Sequence, residues 1–258
     1  MPFIDANGLE LYYEMAGVGP RLLFISGTGG DLRKPPKLTE GPVANVFEVL
    51  AYDQRGLGQS EVPPGPYSMA QYADDAAALL DALDWDDCAV LGASFGGMVA
   101  QELAIRHPGR VRRLVLACTS SGGQGGASYP LHELAALDVE ERIIRHFEIA
   151  DTRWDATWRA AHPDQVGLMS ALFRQAPAEV PEGQPNGPLL QLEARSHHEP
   201  PRGSARSAAR RWSVRADSTA SRRRPTVRFW PSASPVPNWP CSMVAISSWS
   251  RTQRRCRP

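Results

Sequence analysis

Gly92-Ala93-Ser94-Phe95-Gly96 places a serine between a short apolar run, "CAVL", and a helical stretch. That spacing suits a nucleophile. The serine must stand on a sharp, strained turn so that its oxygen projects out of a sheet. A side chain at Gly92 or Gly96 would clash with the neighbouring strand and helix. The amide of Phe95 then opens a helix, where orphan N–H groups and the dipole favour an oxyanion. The chemistry implied is acyl transfer. A plain reading is an inert serine in a tight turn, and the pattern alone occurs in many loops.

Two further stretches argue against the plain reading. "ISGTGG", Ile25 to Gly30, is a glycine-rich turn after an apolar run, and the backbone amide of Thr28 is its candidate second oxyanion donor. "DQRGLGQS", Asp53 to Ser60, follows the next apolar run. Asp53 and Arg55 there read as residues that fix a loop by hydrogen bonds.

The elements that must hold these residues are legible in the hydrophobic pattern. Strands are expected over 9–15, 21–27, 46–53, 88–94 and 112–119. Helices are expected over 68–83, opened by the capping pair Ser68 and Gln71, and over 95–106, stopped by Pro108-Gly109. Alternating strands and helices predict an α/β fold with a doubly wound, mostly parallel sheet. From Leu131 to Ala176 the strand signal gives way to helical patterns, expected to form a lid over the strand ends. Residues 1–125 thus read as the core and 126–198 as the lid.

The order ISGTGG, DQRGLGQS, GASFGG resembles the α/β-hydrolase fold family, most closely its small bacterial esterase and enol-lactonase branch, over roughly residues 8–198. The resemblance implies a serine hydrolase acting on a small-molecule ester or lactone, with Ser94 as nucleophile and the Thr28 and Phe95 amides as oxyanion hole. It also implies an Asp after a later strand and a His near the C-terminus. One departure is Ser26-Gly27 where the family often has His-Gly.

The base and acid are not where that order requires them. The six histidines are His107, His132, His146, His162, His197 and His198, and none lies beyond 198. None of them is expected to serve Ser94. Residues 1–198 hold 15 Lys+Arg against 26 Asp+Glu, a net −11, whereas 199–258 hold 13 Arg against two acids, a net +11. That tail has no apolar period, many Ser and Pro, and isolated Trp. It reads like a gene translated out of frame after a one-base slip near His198–Glu199. In the shifted frame, synonymous codons permit a buried strand, an Asp straddling Ser218 and Thr219, and a Gly-Gly-His whose His straddles Ala245 and Ile246. As written, the last strands are expected to be missing or disordered and the hydrolase impaired. A true basic tail, with Arg222-Arg223-Arg224 and Trp stacking on nucleic acid, is the weaker reading. A hydrolase fold that binds a ligand or partner without chemistry is the alternative for the whole chain.

The remaining expectations are brief. "MPFIDANGLE" carries no signal-peptide pattern, and no apolar run is long enough for a membrane span, so a cytoplasmic location is expected. No metal and no cofactor is implied; Asp84, Asp86 and Asp87 read as a solvated turn. Cys88 and Cys118 read as buried thiols. No membrane or nucleic-acid partner is expected.

Overall fold

The computed structural model describes residues 2–122, 129–150, 154–173, 185–198 and 244–245. Strands β1 (Phe3–Ala6) and β2 (Leu9–Ala16) form an antiparallel hairpin. Next come β3 (Arg21–Ile25), β4 (Glu48–Tyr52), α1 (Met69–Ala82), β5 (Cys88–Ala93), α2 (Phe95–Arg106) and β6 (Val111–Ala117). The sheet order is β1-β2-β4-β3-β5-β6, with β4, β3, β5 and β6 mutually parallel. Chain connections leave β3 toward β4 on one side and return to β5 on the other. The carboxyl ends of β3 and β5 therefore flank a topological switch point, where α/β sheets open a crevice.

Packing follows the hydrophobic pattern. The apolar stripe of α1 is buried at Met69, Tyr72, Ala76, Leu79 and Leu80, in one core with Leu23, Val90 and Leu103. Ser68 caps α1 as expected: its Oγ accepts from the Gln71 amide at 3.2 Å, and the Gln71 side chain accepts from the Ser68 amide at 2.9 Å. Cys88 is buried, and burial pushes its thiol up to about 12. Cys118 corrects the expectation: β6 ends at Ala117, the chain turns at Cys118 with φ 42°, and the thiol is exposed.

After β6 the described elements are helical: a 3₁₀ turn Leu131–Ala136, α3 (Val139–Ala150), α4 (Ala156–Ala161), α5 (Pro163–Phe173) and α6 (Gly187–Ser196). The helical pattern that begins at Leu131 is broken at Leu137–Asp138, where Asp138 turns its carboxylate onto the Glu141 amide at 2.9 Å. The helix α6 was not foreseen. The one described element beyond 198 is β7 (Val244–Ala245), which lies antiparallel to β6. The frame slip, the loss of the last strands and the character of the tail otherwise fall outside the described residues.

Candidate active site

Ser94 sits between β5 and α2 with φ 51° and ψ −115°, a backbone conformation that L-residues rarely hold. Three hydrogen bonds clamp it. The Ser94 amide donates to the Ala117 carbonyl at 2.8 Å, and the Ser94 carbonyl accepts from Thr119 Oγ1 at 2.7 Å and the Gly97 amide at 3.0 Å. Both glycines are sterically required. A Cβ on Gly96 would collide with the carbonyl oxygens of Ile25 and Ser26, and one on Gly92 with the Gly96 carbonyl.

The Ser94 hydroxyl is not spent on capping α2, although the residue occupies the N-cap position. The residue is half-buried. Behind it, the Phe95 ring is fully buried and meets Tyr72 edge-on at 5.0 Å, which anchors the first turn of α2. The Phe95 amide, at that first turn, has no intrahelical acceptor.

The turn after β3 passes over the serine: a Cβ on Gly27 would touch the Ser94 Cβ at 3.4 Å. Within the turn, the Gly30 amide donates to the Gly27 carbonyl at 3.2 Å and the Gly29 amide to Gln191 Oε1 at 2.8 Å. Thr28 is exposed, and its amide has no acceptor among the described residues. Gln54, with no exposed surface, donates from Nε2 to the Ser26 carbonyl at 3.0 Å and Ser26 Oγ at 3.2 Å.

The third motif is a buttress. Asp53 accepts from the Leu32 amide at 2.7 Å and the Gln59 amide at 2.9 Å, while burial pushes its carboxyl above the ordinary range against those bonds. Arg55 makes a bidentate pair with Asp75 on α1, both bonds at 2.6 Å.

Three of the histidines have polar contacts of their own. His107 Nε2 is 2.7 Å from Asp74, and His162 Nδ1 is 2.9 Å from the Trp158 carbonyl. His198 is buried, 3.8 Å from Glu102, and burial lowers it to about 4. Glu102 lies two helical turns beyond Ser94 on α2, about 12 Å along its axis. Among the described residues no group of His, Cys, Asp and Glu could hold a metal, and no helix is long and apolar enough to cross a membrane. Asp87 pairs with Arg112, and the Asp86 carbonyl accepts from Arg110.

Sequence reasoning missed Gln54, Thr119 and Gln191. Gln54 lies inside the DQRGLGQS motif and Thr119 and Gln191 outside any motif, but none of the three side chains shows its partner until folding brings it to a distant backbone group.

Residues 20–234 match the family described as alpha/beta hydrolase fold. Over 192 residues the chain is 38% identical to a 2-hydroxymuconate semialdehyde hydrolase of Pseudomonas sp. (strain CF600), covering 67% of this chain and 66% of that protein. It is 32% identical over 156 residues to 3-oxoadipate enol-lactonase 2 of Acinetobacter baylyi, covering 58% and 56%. The chain thus spans less than two thirds of each of these relatives. The crystal structure of the enol-lactonase from Burkholderia xenovorans LB400 superposes with a TM-score of 0.56 at 26% identity, over 76% of this chain and 74% of that one.

Proposed function

The chain belongs to the alpha/beta hydrolase fold family, and from that premise we propose that it is a serine hydrolase of carboxylic esters or lactones whose turnover is impaired. Ser94 Oγ attacks the substrate carbonyl, the Phe95 and Thr28 amides hold the oxyanion, and the tetrahedral intermediate expels the alcohol. Water then releases the acid from the Ser94 ester. In a lactone the expelled alkoxide stays tethered to the acyl group. The helices after β6 form the lid that selects the substrate.

The observation that carries the reading is the Ser94 backbone: strained, triply clamped and at a helix N-terminus, with its hydroxyl making no cap bond to α2 and no hydrogen bond among the described residues. The names of the enol-lactonase relatives favour the lactone and ester class. The impairment reading is supported by the three histidines whose polar contacts are known: His107 lies against Asp74, His162 against the Trp158 carbonyl, and His198 is buried beside Glu102. Loss of the base from a serine hydrolase costs about a million-fold in turnover, while the oxyanion hole retains roughly a thousand-fold over water.

Two measurements on the full chain test this. A fluorophosphonate should label Ser94 slowly, and Ser94→Ala should remove the label. p-Nitrophenyl ester turnover should stay near background. Robust turnover that Ser94→Ala abolishes would refute the impairment; ligand binding without labelling would favour the non-catalytic alternative.

A further inference from the structure

Resting on the Ser94 reading, we propose that Gln191 is a positioning residue: its carboxamide sets the oxyanion turn, so docking of α6 completes the site. The turn Gly27–Gly30 has three glycines in four residues and is intrinsically soft. Of the Thr28, Gly29 and Gly30 amides, Gly30 is tied within the turn, and Gly29 is tied to Gln191 Oε1 at 2.8 Å from 162 residues away. This bond fixes the peptide plane between Thr28 and Gly29 and leaves Thr28 as the amide free to face an oxyanion. Gln54 holds the start of the turn through Ser26, so two buried carboxamides bracket it.

The choice of residue supports a specific role. Gln191 is fully buried, and its Nε2 has no partner among the described residues. Leaving such a group unpaired is unfavourable, whereas leucine or methionine would fill similar space without that cost. The acceptor is the part the site uses. Because the Gly29 N–H donates, the atom facing it must be the oxygen, which fixes the amide orientation. The helix reaches the turn because Gly187 packs on Gly56, too closely for any Cβ, and Ala194 is buried in the core.

The test measures fluorophosphonate labelling of Ser94 by intact mass and hydrogen exchange at the Gly29 amide by NMR. In Gln191→Leu the labelling rate at saturating reagent should fall about ten-fold, a fraction of the roughly hundred- to thousand-fold cost of deleting an oxyanion donor. The half-saturating concentration should hold, and Gly29 exchange should quicken. Gln191→Asn, one methylene too short, should behave alike and serves if the leucine variant does not fold. Gln191→Glu, which keeps the acceptor, should restore Gly29 protection. Leu189→Ala, an exposed change on the same helix, should alter neither readout. Unchanged labelling in Gln191→Leu overturns the proposal, whether or not Gly29 exchange quickens. Labelling that survives Ser94→Ala overturns the serine reading beneath it, and is distinguishable for that reason.

Discussion

At Ser94 the backbone conformation costs of order 1–3 kcal/mol; the close approach that Gly92 and Gly96 permit and the Thr119 bond help to hold it. A different cost belongs to His198, whose two ring nitrogens are buried and make no hydrogen bond among the described residues, Glu102 lying 3.8 Å away. Its imidazole is held neutral, with its pKa lowered to about 4 by burial from an ordinary 6.5. Between these values the unfolded chain binds the proton and the folded chain does not. Stability from this group is therefore full above pH 6.5 and is lost as pH falls toward 4, at most about 3 kcal/mol. Glu102, raised by burial, titrates in the opposite sense and offsets part of that loss. Thermal melts at pH 7 and pH 5 should show a drop in the parent chain that is smaller in His198→Phe. An equal drop in both would assign the acid sensitivity elsewhere.

At the scale of elements, α1 is well specified because cap and stripe agree. Ser68 marks where helix geometry begins, and the buried face continues to Leu80. Ser68→Ala removes the oxygen that receives the Gln71 amide, which should cost about 1 kcal/mol and lower the melting temperature by about 2–4 °C. A Gly at the same position should cost only a few tenths of a kcal/mol; equal losses would mean the side-chain bond contributes nothing. The segment after β6 was harder to read. Asp138 competes with the backbone and splits the helical pattern, while α6 follows a run of Pro and Gly that looks like loop. Its start rests on Asn186, whose Oδ1 accepts from the Leu189 amide at 3.1 Å, a cap of the same kind as Ser68 in a less apolar context.

Across the whole molecule, one buried ion pair ties distant parts together. Asp75 on α1 receives Arg55 from the loop after β4 and the Asn7 side chain, at 2.8 Å, from the β1–β2 turn. Asp75→Ala would leave the guanidinium of Arg55, 8% exposed, without its carboxylate. The urea midpoint should fall by the equivalent of about 3–5 kcal/mol, whereas Arg55→Met with Asp75→Leu should lie near the parent. A single-variant loss below about 1 kcal/mol would show that water reaches Arg55.

The periods of apolar residues pointed to an α/β fold with parallel strands, and the motifs, through their resemblance to a known family, to a hydrolase and its serine turn. Those are short-range properties: a strand's burial, a helix's cap and a glycine's missing Cβ are each expressed within a few residues. Only the tertiary structure decided which groups hold the turn over Ser94. Gln54 is 28 residues and Gln191 162 residues from the backbone atoms they hold. The fold also carried His198 beside Glu102, well along α2 from the serine. Side-chain bonds over such separations depend on how elements pack, which no local spacing encodes.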